Sequence, residues 1–328
     1  MKVLYHSYPE AFYLPGGAER HLSSLIEKIS DFQVLPIKYD MWRPQIEDAQ
    51  LVHHFSVRED SGMFFKFVKS QNIPLIVSPN IWLEDLRRGV YTEMLSKNLS
   101  LADLVIFNSQ EEAKRMGKVL NIPKTKTEVV HLGVDEAFSN PIEKGLSSKI
   151  LGIKEPFFLS VSSIHPKKNI IQLVKAVQNF KEYKLVIFGE IRDASYAEEC
   201  FSLGGDQLVY AGKIPYRSSL MASAYKDCEL FISTSNYESP SLASLEAATS
   251  GAKVLITKQG SSQEYLEGFG SYFSPGDLNE IVECIGNTLK KKWNGQPQAN
   301  YMKKNFSMDE NCYKLSEIYK SLAYRKYM

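Results

Sequence analysis

Several chemistries are excluded by what this sequence lacks. No Asp-x-Asp occurs in its 328 residues, so the paired-carboxylate clamp for a metal-bound diphosphate is missing. There is no G-x-G-x-x-G, which argues against a nicotinamide dehydrogenase, and no G-x-x-x-x-G-K-[ST] or G-x-S-x-G. Cysteine is scarce. Cys200, Cys228, Cys284 and Cys312 are far apart and form no C-x-x-C, which fits idle thiols in a reducing compartment rather than a disulfide framework or zinc site. No apolar run approaches the ~18 residues that would span a bilayer. The start, Met1-Lys2-Val3-Leu4-Tyr5-His6, turns polar too soon for a signal peptide, so a cytoplasmic protein is expected. Net charge is only +1, which gives no footprint for nucleic acid.

What remains is globular, with 44% hydrophobic and 23% charged residues. Residues 287–328 are basic and the remainder correspondingly acidic. Such an end either rests on an anionic leaflet or is a solvated helix face and tail. Short apolar runs alternate with helical patterns. The first series has strands at Val3–Tyr5, Gln33–Ile37, Gln50–Phe55, Pro74–Ser78, Leu104–Phe107 and Glu128–His131. A second follows at Phe157–Ser162, Lys184–Phe188, Leu208–Ala211, Leu230–Ser233, Lys253–Thr257 and Ser271–Phe273. The alternation predicts α/β domains with doubly wound parallel sheets. Between the series, Gly133–Pro156 carries Pro141, Gly145, Ser147 and Ser148 and reads as a linker. Ser109–Glu112 and Ser307–Glu310 read as capping boxes, and Asp277 as a further helix start. The last helix presents Leu315, Ile318, Tyr319 and Leu322 as an apolar stripe that must be buried.

In parallel sheets ligands bind at the carboxyl ends of strands, so loops following strands are the informative ones. Glu238-Ser239-Pro240-Ser241-Leu242 leads into a helix containing Glu246 and ending at Gly251, with Pro240 in the first helical turn. Two carboxylates there suit sugar or ribose hydroxyls, being pure acceptors; surface glutamates are the plain alternative. Ile164-His165-Pro166-Lys167-Lys168-Asn169 puts Lys168 at the positive end of a helix, a conflict that a diphosphate removes. An exposed lysine in a polar loop is the other reading. Gly16-Gly17 permits close backbone approach to a ligand, or is simply a turn. Gln259-Gly260-Ser261-Ser262 offers amides to phosphate, or is a polar loop with a Gly turn. His53-His54 ends an apolar strand and reads as one packed and one loop-facing histidine, not a metal site. Phe64-Phe65-Lys66-Phe67-Val68-Lys69 either touches a lipid-linked acceptor at a membrane or packs in the core.

Taken together, and in this order along nearly the whole chain, these residues resemble glycosyltransferase family 4. The likeness runs through Gly16-Gly17-x-Glu19, Asn108-Ser109, His131-Leu132-Gly133-Val134-Asp135, Lys168, Gly189, Gly212, the Glu238/Glu246 pair and Gly251. The resemblance implies the GT-B fold, two Rossmann-like domains facing across a cleft. Residues 1–150 would bind acceptor and 151–306 the donor, and a final helix, 307–328, would cross back to the N-terminal domain. It implies a retaining enzyme without metal or other cofactor. That enzyme would move a hexose-type sugar from a UDP- or GDP-sugar to a glycan or lipid-linked acceptor, in bacterial cell-surface polysaccharide synthesis. The protein would be cytoplasmic, with peripheral contact at the inner membrane face. Lys168 would neutralise the leaving diphosphate, Glu238 would hold the donor sugar and Glu246 the ribose. Ile214 and Tyr216 would touch the base. Gly16, Gly17, Ser163, Gly189, Ser241, Leu242, Ser261 and Ser262 would complete the donor site, and Asn80 and His54 the acceptor side.

The sequence departs from the family pattern at three places. Ser163 stands where arginine is frequent, leaving diphosphate stabilisation to Lys168 with Lys167 or Lys213. Ser239-Pro240-Ser241 replaces Gly-aromatic-Gly, and Asn80 replaces an acceptor-side histidine. Ser163 and Asn80 also admit a non-catalytic relative that acts as binding partner of an active transferase.

Overall fold

The computed structural model describes residues 1–13, 15–44, 46–82, 89–140 and 142–324. Pro141 of the expected linker and Arg325 and Lys326 of the basic end lie outside the described residues. Two compact units form, Met1–Gly133 with Phe306–Met328, and Val134–Asn305.

The first unit runs β1 (Lys2–His6), α1 (Gly17–Lys28), β2 (Leu35–Lys38), β3 (Leu51–Phe55), α2 (Ser61–Ser70), β4 (Leu75–Ser78), α3 (Val90–Ser100), β5 (Leu104–Phe107), α4 (Gln110–Val119) and β6 (Thr127–Val129). Its sheet is parallel, in the order β2-β1-β3-β4-β5-β6. Strands covered on both faces are buried along their whole length, as Leu51–Phe55 is. Ser109 caps α4 by accepting from the Glu112 amide, while Glu112 reaches back to the amide of Asn108, one residue before the cap. In α2, Phe65 and Val68 are core residues, so that segment packs inward, although Met63 and Phe67 stay exposed.

The second unit begins with α5 (Leu146–Leu151), inside the stretch expected to be a plain linker. Asp227 holds it, accepting from Gly145 N and Ser147 Oγ. Then come β7 (Phe157–Val161), α6 (Ile170–Val177), β8 (Lys184–Phe188), α7 (Ala194–Gly204), β9 (Leu208–Gly212), α8 (Ser219–Asp227), β10 (Leu230–Ser233) and α9 (Leu242–Thr249). The unit is completed by β11 (Val254–Thr257), α10 (Ser262–Tyr265), β12 (Ser271–Phe273), α11 (Leu278–Lys290) and α12 (Gln296–Phe306). The order is β12-β11-β10-β7-β8-β9, again parallel. Asp277 caps α11 by accepting from Glu280 N. Helix α12 had no counterpart in the sequence pattern. Its buried Gln298 ties it to the carbonyls of Ala248 and Ala252 at the end of α9.

The last helix, α13 (Met308–Tyr324), belongs to the first unit. Met308, Cys312, Leu315 and Tyr319 join Val3, Tyr5, Leu22 and Leu25 in one core cluster, and Lys28 pairs with Asp309 at 3.1 Å. All four cysteines are free thiols. Among the described residues no helix is long and apolar enough to cross a membrane.

Candidate functional site

In the second sheet β7 and β10 are neighbours, but the chain winds away from them in opposite directions. Loops leaving such a pair diverge and open a crevice at the carboxyl ends of the strands. Lys168 lies on the loop after β7, in a one-turn helix Pro166–Lys168 just ahead of α6. Glu238 lies on the loop after β10. Hydrogen bonds to main-chain carbonyls stitch the two loops together. Thr234 Oγ1 donates to the carbonyls of Lys168 and Asn169, and Asn236 N donates to Lys167 O. Lys168 Nζ then meets Glu238 Oε1 at 3.0 Å, and Ser233 Oγ donates to the same oxygen at 3.2 Å. Glu238 is only 7% exposed, so the ammonium compensates a carboxylate largely withdrawn from water.

The loop after β11 closes over Glu238. Glu238 N donates to Gln259 O, and Ser261 N donates to Glu238 O at 2.9 Å. Gly260 makes this possible. Its φ is +110°, and a Cβ there would collide with the Glu238 carbonyl. Gly189 does the same between β8 and β7: a Cβ would strike the Ser162 carbonyl. Five hydroxyls around these loops, on Ser162, Ser235, Ser239, Ser261 and Ser262, are buried and make no hydrogen bond. Buried hydroxyls ordinarily have partners, so this concentration marks a polar site rather than packing.

Glu246 occupies the second turn of α9 and is 2% exposed, with Oε2 accepting from Tyr225 OH at 2.7 Å. The Tyr225 ring packs on Phe138, which packs on Tyr216, both at 5.6 Å between centroids. Glu246 and the Ile214–Tyr216 segment are thereby joined through one aromatic cluster. Ser241 spends its hydroxyl as N-cap of α9, accepting from Ser244 N, and Leu242 is buried at the first helical position. Pro240 precedes that cap, so the helix starts later than its sequence suggests. Lys213, a possible helper of Lys168, is held 2.7 Å from Glu190, and Lys167 is exposed. Ser163 is half-buried. Burial, with the charges of Lys168, Arg192 and Lys167, pushes His165 below the usual histidine range.

In the first unit Gly16 is the N-cap of α1, and its amide donates to Glu19 Oε2 at 2.8 Å, with Gly17 as the first helical residue. Tyr8 OH donates to the other oxygen of Glu19. Asn80, with φ +48°, links Ser56 and Asn108 across the ends of β3, β4 and β5. The histidine pair differs from its expectation: both His53 and His54 are enclosed, because β3 is an inner strand covered on both faces. His53 contacts Tyr319 OH at 2.7 Å and Ser78 Oγ at 2.9 Å, while His54 Nδ1 is hydrogen-bonded to His6 Nδ1 at 2.7 Å. Among the described residues no three His, Cys, Asp or Glu side chains cluster as metal ligands do.

Burial lowers His6 and His21 from 6.5 to about 4, and His53, with some help from His21, to about 3. Folded values below the unfolded one mean that the unfolded chain takes up protons first. Their stabilisation is therefore complete above pH 6.5 and lost as pH falls toward 4. Each histidine forfeits about 2 kcal/mol between pH 6.5 and 5. Thermal unfolding followed at those two pH values should show the melting temperature drop by roughly 5 °C or more. A flat profile across that window would refute neutral, buried histidines.

Sequence reasoning missed Ser233, Thr234 and Tyr225. Tyr225 sits among the apolar positions of α8, where nothing separates a carboxylate's partner from a core aromatic.

A family model for Glycosyl transferases group 1 matches residues 144–307. No curated protein matches the chain. Among solved structures, sucrose-phosphate synthase from Thermosynechococcus elongatus is similar at 16% identity, with 98% of each chain covered and a TM-score of 0.81. Anabaena HepE, solved in complex with UDP and glucose, is similar at 18% identity over 98% of this chain and 100% of that one, TM-score 0.79. An α,α-trehalose-phosphate synthase (UDP-forming) from Burkholderia xenovorans, solved with glucose-6-phosphate, shares 12% identity over 92% and 81%, TM-score 0.66. The two parallel six-stranded sheets are thus those of the GT-B fold. The family match spans half of the chain and contains Lys168, Glu238 and Glu246, the residues that the second unit gathers around its strand ends: the chain belongs to the Glycosyl transferases group 1.

Proposed function

We propose that the protein is a retaining, metal-independent transferase, as in glycosyltransferase family 4. It moves a hexose-type sugar from a nucleotide diphosphate sugar to a glycan or lipid-linked acceptor in cell-surface polysaccharide synthesis. The observation that carries this reading is the Lys168–Glu238 contact at the crevice between β7 and β10. An ammonium and a carboxylate held together there provide one group for a diphosphate and one for sugar hydroxyls. The buried serines on the same loops are placed to meet phosphate or hydroxyl oxygens. Anabaena HepE, which carries UDP and glucose on a similar fold, favours a UDP-sugar as donor.

The proposed reaction breaks the bond between the sugar's anomeric carbon and the β-phosphate oxygen. Negative charge builds on that oxygen, where Lys168 neutralises it, and stabilisation confined to the transition state raises turnover. The acceptor hydroxyl attacks from the face the nucleotide leaves, and its proton passes to the departing β-phosphate oxygen. Glu238 orients the sugar, Glu246 holds the ribose and the Ile214–Tyr216 segment meets the base. Ser163, Gly189, Ser241, Leu242, Ser261 and Ser262 surround the donor. Asn80 and His54 serve the acceptor side, His54 from behind, through His6. Donor residues would lie in Val134–Asn305 and acceptor residues in Met1–Gly133, a boundary earlier than the 150/151 expected from the sequence, in a cytoplasmic protein that touches the inner membrane face.

Proton NMR of the product should show the donor's anomeric configuration retained; an inverted product would overturn the mechanism. Turnover should survive excess chelator, and its abolition would contradict metal independence. Complete inertness of the purified chain, with neither transfer nor slow donor hydrolysis, would favour a non-catalytic partner instead.

A further inference from the structure

Glu246 is almost entirely withdrawn from water, and the chain supplies it with a donor that keeps one place. Tyr225, in α8, is fully buried and donates to Glu246 Oε2 at 2.7 Å. Its ring packs edge-on against Phe138 at 5.6 Å and tilted against Phe231 of β10 at 5.7 Å. A tyrosine has few side-chain torsions, and a packed ring fixes them, so the hydroxyl is set in advance. Glutamate is the longer and more mobile of the two side chains. A fixed partner therefore decides where its oxygens sit.

Packing alone does not call for a tyrosine at this position. Phenylalanine fills the same space, and a phenol among apolar side chains is costly unless its hydroxyl is bonded. The hydroxyl of Tyr225 is there for the carboxylate. The same wall extends to the segment after β9. Phe138 packs on Tyr216 at 5.6 Å, and Ser250 Oγ, at the end of α9, lies 2.9 Å from the Phe138 carbonyl and 3.0 Å from that of Glu246. Arg217 covers the Tyr216 ring at 5.3 Å and pairs with Asp135 at 2.6 Å. One set of side chains, all within the second unit, thus braces both the carboxylate and the segment.

We propose that Tyr225 is a positioning residue that makes the donor site select ribonucleotides. Its hydroxyl holds Glu246 so that the carboxylate accepts from the ribose hydroxyls. A 2′,3′-dideoxy nucleotide leaves those buried acceptors unmet. A carboxylate offers about four lone-pair sites, so accepting from Tyr225 does not exhaust it. A site built to hydrogen-bond a hydroxyl rejects the analogue lacking it far better than an apolar pocket rejects an extra group. The proposal rests on the reading of Glu246 as the ribose carboxylate and adds the residue that sets its orientation. The ribose is remote from the bond that breaks, so Tyr225 acts on binding and not on chemistry.

Calorimetric titration of the full-length chain with UDP and with 2′,3′-dideoxy-UDP reads the selection directly, and GDP with its dideoxy counterpart covers the other base. The unaltered chain should prefer the ribonucleotide by at least ~10-fold, as hydrogen bonds to a charged group allow. Tyr225→Phe should cut that preference at least ~fivefold and leave the dideoxy affinity unchanged, since only the ribose contact is loosened. Glu246→Gln should lose the preference too, and the double variant should be no less selective than Glu246→Gln alone, because both act through one contact. Equal loss of both affinities in Tyr225→Phe would mean a distorted core and overturn the proposal. So would a preference kept in Tyr225→Phe but lost in Glu246→Gln, an outcome that leaves the transferase reading intact. Binding of neither nucleotide, or a preference that survives Glu246→Gln, would strike that reading and the proposal with it. In the active enzyme Tyr225→Phe should raise the donor KM by about the same factor with kcat unchanged. A fall in kcat at unchanged KM would contradict a role confined to binding.

Discussion

Replacing Lys168 by alanine is expected to lower turnover by at least ~100-fold, because a fixed donor facing developing charge contributes about 3–4 kcal/mol to the transition state. The substitution is clean. The Lys168 main chain is held by Thr234 Oγ1 on its carbonyl, and the adjoining loop by Asn236 N on Lys167 O, so the backbone keeps its place. Glu238 retains Ser233 as a donor. Neighbouring cations offer little rescue: Lys213 is committed to Glu190, and the position five residues upstream is Ser163 rather than arginine. Single-turnover kinetics with saturating donor read the effect directly. Donor affinity should weaken less than kcat, since the charge is largest in the transition state. Near-normal kcat in Lys168→Ala would remove this residue from the chemistry.

Gly260→Ala should be almost as damaging although Gly260 contributes no side chain. At φ +110° an alanine is strained, at a cost of about 1–3 kcal/mol, and its methyl group meets the Glu238 carbonyl besides. The collision is with backbone, so it can be relieved only by parting the loops after β10 and β11. Glu238 then moves with its loop, and a displacement near 1 Å is enough to cost about 100-fold in rate. We expect kcat/KM to fall by about that factor, with the melting temperature lowered by several degrees and the far-ultraviolet circular dichroism kept. Gly268→Ala is the control. Its φ of +78° is also left-handed, but nothing lies within 4 Å of the added methyl. It should lose some stability and no activity. Equal activity losses in the two variants would show that loop contact with Glu238 is not the cause.

Both predictions concern loops that the sequence located but did not assemble. The strand candidates Leu104–Phe107, Lys184–Phe188, Leu230–Ser233 and Ser271–Phe273 coincide with strands in the structure. Periodicity and β-branched runs are local signals, and they suffice for element order and for the parallel α/β class. Lys168 and Glu238 were legible for a related reason: charged residues in loops after strands stand out against an apolar background, and Glu246 stood out as a carboxylate in the helix that follows such a loop. Gly260 was visible only as a turn. Its demand for glycine comes from a carbonyl 22 positions away in sequence.

Elsewhere local pattern and outcome separated. His53-His54 looked like one inward and one outward residue, because alternation along a strand assumes one wet face. An inner strand in a doubly covered sheet has none, so both rings are buried and find Tyr319 and His6 as partners. Helix α12 went unread since its inward anchor is Gln298, a polar residue satisfied by the carbonyls of Ala248 and Ala252.

By itself, then, the sequence determined the succession of strands and helices, the two doubly wound sheets and the charged residues available for a diphosphate and a sugar. All of these follow from spacing and from what each side chain can donate or accept. Tertiary structure alone decided the pairings. The Lys168–Glu238 contact joins residues 70 positions apart, and the Glu246–Tyr225 bond joins residues 21 apart. Contacts of that kind arise from strand order, and strand order is set by how the helices cover the sheet, which no local stretch of chain encodes.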